Sequence, residues 1–264
     1  MTQMLEDRRV GGEGEHSVRF EPTSKRVRTY FGGIPVADST GVQMLFETGH
    51  LPVYYFPVED VRMDLLDPTD HHTHCPYKGD ASYCSVKVGD KVAENAVWRY
   101  QDPLAEAPQE LANLVAFYWN KMDAWFEEDD EVYVHPRDPY KRIDVLQSSR
   151  HVQVHVAGEL VADTHRPRFL FETKLPTRYY IPKVDVRLDL LEDSDATSRC
   201  PYKGVASYYS VRVGDQVAKD IAWYYALPIP ECPKIENMIC FFNEKVDAIY
   251  VDGRLEDKPT TPWS

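Results

Sequence analysis

An internal repeat is the feature that most constrains this sequence. The motif Cys-Pro-Tyr-Lys-Gly that begins at Cys75 returns 125 residues later at Cys200. The same spacing places further identical residues opposite one another, among them Glu47 and Glu172, Arg62 and Arg187, Asp64 and Asp189, Trp98 and Trp223. An ungapped register of this length predicts a duplicated domain, so we expect two copies of one fold.

Composition and charge restrict the class of protein. Of the 264 residues, 43% are hydrophobic and 12% aromatic, enough for a core in each of two small domains. The net charge of -13 argues against a nucleic-acid partner. No apolar run approaches the length of a membrane span, and residues 1–14 have no apolar signal core. We therefore expect a cytoplasmic protein without a membrane partner.

The sequence suggests where the two copies begin and end. The polar, glycine-rich stretch 1–24 predicts a disordered tail, and the acidic, then proline-rich stretch 129–149 predicts a linker. The repeat domains are then expected over 25–128 and 150–254, and a C-terminal tail over 255–264.

Short β-branched and aromatic runs, separated by glycine and proline turns, predict strands in both copies. The first-copy runs are 27–31, 34–37, 42–46, 53–56, 60–66, 81–88 and 91–100. In 60–66, charged and apolar residues alternate, which predicts a strand with one buried face. The expected fold class is all-β with minor helix near 111–122, arranged as two tandem barrel-like or sandwich-like domains.

Several motifs together resemble a known family. They are Tyr54-Tyr55-Phe56-Pro57, Asp60-Val61-Arg62, the two Cys-Pro-Tyr-Lys-Gly motifs and Trp98. This combination is similar to the bacterial and fungal family catalogued as domain of unknown function 427, in its two-copy form, and the resemblance covers about 25–253. It implies a small all-β fold with a topology similar to the Mss4-like group and no generally established activity. One label of that family suggests nucleotidyl transfer, but the chain lacks the usual Gly-Ser plus Asp-x-Asp metal site and a glycine-rich phosphate loop.

Potential metal ligands are densest at His71, His72, His74 and Cys75. Imidazole and thiolate suit zinc, yet the corresponding stretch 196–199 contains no histidine. Exposed histidines on a loop explain the same residues, so no metal and no cofactor is expected. The five cysteines form no CxxC pair, which argues against a disulfide framework or a zinc knuckle.

The repeated motif itself allows two interpretations. Cys75 and Lys78 lie three residues apart around a proline, and a nearby ammonium would favour the thiolate that a nucleophile needs. Alternatively, an inert cysteine lies behind a tight turn, with Lys78 over Tyr77. Both interpretations apply equally to Cys200 and Lys203.

Charged residues within apolar runs form the second candidate constellation. Glu47 and Arg62, with Asp64, either form a buried ion pair or line a polar pocket in which one carboxylate has a raised pKa. Aromatic side chains would form the walls of such a pocket, although aromatic residues in strands are often simply core. The candidates are Tyr54, Tyr55, Trp98 and Tyr100, and Glu172, Arg187 and Trp223 repeat the arrangement.

Two functional hypotheses follow. In one, the protein is a cofactor-independent enzyme that acts on a small organic molecule through Cys75, Lys78, Glu47, Arg62 and His71. In the other, it is a non-catalytic small-molecule binder or scaffold. The ligand-binding candidates in both are Tyr54, Tyr55, Asp64, Tyr77, Trp98, Glu172, Arg187, Cys200, Lys203 and Trp223.

Two expectations concern how the copies share the work. The copies are expected to pack as a pseudo-twofold pair, and a homo-oligomer is left open. The histidines before Cys75 can transfer protons near neutral pH, whereas the residues before Cys200 cannot. Function is therefore expected to depend mainly on copy one.

Overall fold

The computed structural model describes residues 16–262 and 264, and the chain divides into two compact units, Met1–Arg137 and Asp138–Ser264. We call them unit 1 and unit 2. The described residues form strands and short 3-10 turns, with no α-helix among them. The predicted all-β fold and the duplication are both confirmed, while the Mss4-like topology stays a prediction.

The described residues of unit 1, from residue 16 onward, form eleven strands. They are β1 (Val18–Pro22), β2 (Val27–Phe31), β3 (Ile34–Ser39), β4 (Gln43–Glu47), β5 (Val53–Pro57), β6 (Leu66–Cys75), β7 (Gly79–Val88), β8 (Lys91–Arg99), β9 (Leu114–Phe117), β10 (Ala124–Glu127) and β11 (Asp130–Glu131). Seven of them form an antiparallel sheet in the order β1-β4-β5-β9-β8-β7-β6. The other four form a smaller sheet in the order β11-β10-β2-β3.

The main core of unit 1 lies between these two sheets. Strand residues of the small sheet, such as Val27 and Trp125, share one cluster with Phe56 and Phe117 of the large sheet. Because side chains of a strand alternate between faces, neighbouring residues of the large sheet point to its outer face. Tyr55 and the other outer-face residues form a second cluster there.

The second cluster is covered by the connection between β8 and β9. This proline-rich segment contributes Tyr100, Ala107 and Leu111, which pack against outward-facing Leu45 and Tyr83. The centre of the large sheet is therefore buried on both faces, which explains why β9 has no exposed residue. The candidate site takes its lining from both clusters, with Tyr55 from the outer face and Tyr54 from the inner one.

Unit 2 repeats the arrangement. Its strands are β12 (Ile143–Gln147), β13 (Val152–Val156), β14 (Glu159–Thr164), β15 (Arg168–Glu172), β16 (Arg178–Ile181), β17 (Leu191–Cys200), β18 (Gly204–Val213), β19 (Gln216–Tyr224), β20 (Ile239–Phe241), β21 (Ala248–Val251) and β22 (Arg254–Leu255). The sheets have the orders β12-β15-β16-β20-β19-β18-β17 and β14-β13-β21-β22. The second copy therefore has the same strand neighbours as the first.

Two predicted elements are wrong. The run 60–66 is not a strand but two 3-10 turns, Val58–Asp60 and Met63–Leu65, separated by a single bridge from Val61 to Ala37. The helix near 111–122 is replaced by the 3-10 turn Gln109–Asn113 and strand β9. In both places the residue pattern fits a longer strand or helix, but the backbone changes direction every few residues.

The ordered repeat begins earlier than predicted in both copies. Strand β1 pairs with β4 within the predicted tail, and β12 pairs with β15 within the predicted linker. These two strands are counterparts at the same spacing of the repeat, so the predicted tail and linker are wrong for these residues. The remainder of the predicted tail, 1–15, lies outside the described residues.

The helical turns of the described residues are far too short and polar for a membrane span. Unit 1 has a further 3-10 turn at Trp119–Lys121. The 3-10 turns of unit 2 are Lys183–Asp185, Leu188–Leu190 and Pro233–Ile235.

Candidate functional site

A cavity of about 560 Å³ lies in unit 1, beside the loop 49–52 that joins β4 and β5. Glu47 at the end of β4 and Lys78 form its charged wall. The rest of its lining is mainly aromatic, from Tyr54, Tyr55, Tyr83, Trp98, Tyr100, Phe117, Tyr118, Trp119 and Trp125. Binding sites for small molecules are commonly of this size and composition, an apolar cavity with a few polar groups.

Lys78 forms an ion pair with Glu47 in the wall of the cavity. The lysine is only 5% exposed, and the carboxylate also accepts a hydrogen bond at 3.0 Å from the His16 ring. A buried ammonium requires such a partner, because removing it from water is costly. The pair therefore fixes both side chains at this wall.

The backbone of the Cys-Pro-Tyr-Lys-Gly motif directs Lys78 inward. The motif forms the turn between β6 and β7, in which the Lys78 amide donates to the Cys75 carbonyl at 3.3 Å and the Lys78 carbonyl accepts from Leu104 at 3.1 Å. Gly79 has φ +104°, and a Cβ there would lie 3.4 Å from the Asp102 carbonyl oxygen. Glycine is needed here because other residues rarely adopt this backbone conformation.

The Glu47 carboxylate is held in its ionised form. Burial acts to raise its pKa, but hydrogen bonds and charge from Lys78, with a hydrogen bond from His16, outweigh burial and lower the pKa below its usual value. The expectation of a carboxylate with a raised pKa is therefore wrong for Glu47. An ionised carboxylate can accept a proton or attract a cation, but it cannot serve as a proton donor.

The hydroxyls of Tyr55 and Tyr118 in the cavity wall stay protonated near neutral pH. Trp98 donates to the Tyr55 hydroxyl at 3.0 Å, and burial raises the pKa of Tyr55 well above its usual value. The hydroxyls of Tyr83 and Tyr118 lie 3.4 Å apart, and burial with this contact raises the pKa of Tyr118 to about 12. These groups can form neutral hydrogen bonds with a ligand near neutral pH.

Unit 2 contains the same ion pair. Lys203 lies 2.6 Å from the Glu172 carboxylate, which also pairs with Lys141 at 3.0 Å. Burial tends to lower the pKa of Lys203, but nearby Cys200 and Glu172 outweigh it and raise the pKa. The pKa of Glu172 is lowered, because both lysines outweigh the opposing effect of burial.

The two units differ in the aromatic wall. Val53, which lines the cavity of unit 1, has Arg178 as its counterpart in unit 2. The Arg178 guanidinium donates to both oxygens of Glu244 at 2.7 and 2.6 Å and lies 5.5 Å from the ring centroid of Trp223. Its side chain therefore occupies the space in front of the tryptophan that corresponds to Trp98.

Six of the residues predicted for the site are brought together, and they are Glu47, Lys78, Tyr54, Tyr55, Trp98 and Tyr100. Arg62 is not among them. Its guanidinium pairs with Asp64 on the surface, where the two side chains are 54% and 62% exposed, and Arg187 forms the same exposed pair with Asp189. The predicted pairing of Arg62 with Glu47 is wrong because the 3-10 turn directs Arg62 to solvent.

The remaining predicted residues lie outside the cavity lining. His71 is exposed on strand β6 rather than on a loop, with its ring 4.5 Å from that of Tyr83. Tyr77 is 46% exposed and stacks on His16 at 3.6 Å rather than under Lys78. Cys75 is half-buried against the outer-face cluster. A nucleophilic role for Cys75 stays a prediction, as does one for its counterpart Cys200.

Potential metal ligands come together elsewhere in the described residues. His151, Asp163 and His165 lie on one face of the β13–β14 hairpin, with ligand atoms all within 4.8 Å of one another. Asp163 accepts a hydrogen bond from His151 at 2.8 Å. The stretch 71–75 forms no comparable group of three within the described part of the chain.

Sequence reasoning missed several residues of the site. His16 and the cavity-lining Trp119, Trp125 and Tyr118 were not predicted, since they lie far from the repeated motif in sequence. The exchange of Val53 for Arg178 was a visible signal, because such a change within otherwise matching strands marks a position where the two copies differ in space.

The fold and the repeated site define a tandem two-domain β protein. A family model described as domain of unknown function 427 matches residues 19–128 and 144–252. The two regions cover more than half of the chain, which therefore belongs to this family in a two-copy arrangement, and the resemblance noted in the sequence is confirmed. No curated protein matches the chain.

Proposed function

We propose that unit 1 binds a small organic molecule in the cavity beside loop 49–52. The observation that carries the proposal is the difference between the units: both have the buried lysine–glutamate pair, but Val53 leaves open a space that Arg178 occupies in unit 2. An ion pair present in both copies serves the shared fold. The open aromatic wall is what unit 1 adds.

The chemistry of the lining sets the kind of ligand. Aromatic rings would contact a flat or apolar body, and the hydroxyls of Tyr55 and Tyr118 would orient polar groups. The size of the cavity, about 560 Å³, fits a metabolite rather than a polymer segment. Function is thereby assigned mainly to copy one, although for a reason other than its histidines.

Catalysis is the second candidate, and the Lys78–Glu47 pair favours it. A buried ammonium beside an ionised carboxylate can give a proton to a bound molecule and take one from it, without a cofactor. The same pair occurs in unit 2, so the pair alone does not distinguish an enzyme from a binder. Binding therefore comes first in the proposal.

Ligand-observed nuclear magnetic resonance with a library of small aromatic and aliphatic compounds tests binding. The matched control is the double variant Val53→Arg with Asn120→Glu, which places the two residues of the unit 2 pair at their counterpart positions. We expect compounds that bind the wild-type protein and are lost from this variant. Equal binding to both proteins, or no binding to either, would contradict the proposal.

A bound compound then decides between the two candidates. If the protein converts it, Lys78→Met should abolish conversion while binding of the compound persists. If the compound is recovered unchanged after prolonged incubation with the wild-type protein, the protein is a binder for it.

A further inference from the structure

The second copy shows which chemical group fits against the aromatic wall. In unit 2 the Arg178 guanidinium lies 5.5 Å from the ring centroid of Trp223 and 5.9 Å from that of Phe242. A cation at this distance from an aromatic face is attracted by the electron density of the ring. Unit 2 therefore holds a cation of its own at this place.

The corresponding rings of unit 1 have the same geometry. Trp98 and Tyr118 have centroids 4.6 Å apart at an interplanar angle of 45°, whereas Trp223 and Phe242 are 4.4 Å apart at 47°. Both unit 1 rings line the cavity. Unit 1 thus keeps the two aromatic rings of the cation site but lacks the arginine.

In unit 1, Val53 stands in place of the arginine at the start of β5. Its side chain is short and carries no charge that could face these rings. We propose that the unit 1 cavity binds an organic cation, a guanidinium or ammonium group placed against Trp98 and Tyr118. This inference rests on the proposed function and names its ligand class. The ligand would provide the charge that Arg178 provides in unit 2.

Lys121 and Lys78 bring positive charge to the rings or to the lining of the cavity. Lys121 lies 4.9 Å from the centroid of Tyr118, but Lys245 lies 4.7 Å from Phe242 in unit 2, beside Arg178. In unit 2 a lysine and a second cation share this ring, and Glu244 balances the charge of Arg178. The charge of Lys78 is balanced by Glu47, and the net charge of -13 attracts cations to the protein as a whole.

Unit 1 has no counterpart of the buried Glu244, since Asn120 stands at that position. The cation would therefore be held mainly by the rings and by tyrosine hydroxyls. Soft, weakly hydrated cations such as guanidinium lose less hydration than a primary ammonium when they enter such a site. An alkyl- or aryl-guanidinium is the form expected to bind best.

Three probes of similar size test the charge directly: benzylguanidinium, neutral benzylurea and anionic phenylacetate. Each is titrated into the wild-type protein by calorimetry at low salt. We expect benzylguanidinium to bind about tenfold or more tightly than benzylurea, and phenylacetate to bind most weakly.

Two variants locate the effect. Tyr118→Leu should reduce the preference for benzylguanidinium over benzylurea to about twofold or less, because the ring that contacts the cation is lost. Phe242→Leu, the matched change in unit 2, should leave that preference unchanged. Tyr118 is 37% exposed, so its replacement is compatible with folding.

The outcomes separate this inference from the proposed function. If benzylurea or phenylacetate binds as tightly as benzylguanidinium, the cation assignment is overturned while small-molecule binding stands. If the charge preference survives Tyr118→Leu, the assignment to this wall is overturned. If none of the three probes binds, the cation assignment is overturned. If the compound library also yields no ligand, the proposed function fails as well.

Discussion

The Lys203 ammonium of unit 2 lies 2.6 Å from the Glu172 carboxylate. The glutamate ends β15, and the lysine lies in the turn between β17 and β18. Lys78 and Glu47 make the same connection in unit 1. In both copies, the lysine of the repeated motif therefore connects its turn to the glutamate at the end of a strand that is distant in sequence.

Breaking this connection from one side should destabilise unit 2. Lys203→Met leaves a buried carboxylate with one lysine fewer, and we expect a loss of roughly 3 kcal/mol in the free energy of unfolding. Lys203→Met combined with Glu172→Gln should cost less than the sum of the single changes. Urea denaturation of all three variants checks this, and additive losses would show that the two residues do not interact.

The sequence predicted most of the strands but not this pairing. Local patterns of β-branched and aromatic residues are enough for strands such as β5 and β7, because each pattern repeats within a few residues. The contact between Glu172 and Lys203 joins residues 31 positions apart, and only the register of strands brings them together. A buried pair of Glu172 with Arg187, one of the two interpretations open from the sequence, is therefore wrong.

The exposed pair Arg62–Asp64 provides a contrast. Both side chains are more than half exposed, so water screens their attraction and competes for their hydrogen bonds. We expect Arg62→Ala to leave the urea midpoint of unit 1 and the binding of any cavity ligand unchanged. A marked fall in either quantity would indicate that Arg62 contributes to the site after all.

The buried pair of Arg178 and Glu244 should make unit 2 sensitive to acid. Burial raises the pKa of Glu244, but hydrogen bonds from Arg178 and Thr261 outweigh it and lower the pKa from 4.5 to about 2. A lowered carboxyl pKa stabilises the fold at pH values above the unfolded-state pKa, and this contribution disappears as the pH falls from about 4.5 to about 2. It amounts to roughly 2 to 3 kcal/mol.

The test compares wild type with the double variant Arg178→Met and Glu244→Gln. The difference in free energy of unfolding between them should change by roughly 2 kcal/mol between about pH 5 and about pH 2.5, in favour of the variant at low pH. Subtracting the two proteins removes the contribution of other carboxylates. A difference independent of pH would contradict the lowered pKa.

The turn glycine should not tolerate a side chain. Gly79 has φ +104°, and an added Cβ would lie 3.4 Å from backbone atoms of Asp102 and Leu104. We expect Gly79→Ala to destabilise unit 1 by about 1 to 3 kcal/mol, and Gly204→Ala, with φ +102°, to do the same in unit 2. Thermal unfolding of the two variants measures this. A harmless substitution would mean that the turn can relax.

The cavity could not be derived from one copy alone. Val53 reads as an ordinary strand residue, and only its comparison with Arg178 shows that one copy fills a space left open by the other. The aromatic residues around it were visible in the sequence, but their grouping depends on the loop 49–52 and on Val134, which no local pattern connects to β5. Sequence reasoning thus identified Glu47, Lys78 and part of the aromatic wall, but not how these residues come together.

Thiol labelling tests the interpretation of the repeated cysteine. Cys240 is fully buried, and burial raises its pKa to about 12, while burial raises the pKa of Cys232 to about 11. Only the thiolate reacts with an aromatic disulfide reagent, so both residues should remain unlabelled at about pH 8 until the protein is unfolded. Cys75 and Cys200 are only half-buried and should be labelled first, as mass spectrometry of peptides would show.

Because Cys75 packs against the outer-face cluster and does not line the cavity, Cys75→Ala should leave ligand binding and any conversion intact. Loss of conversion with binding preserved would instead identify Cys75 as a nucleophile.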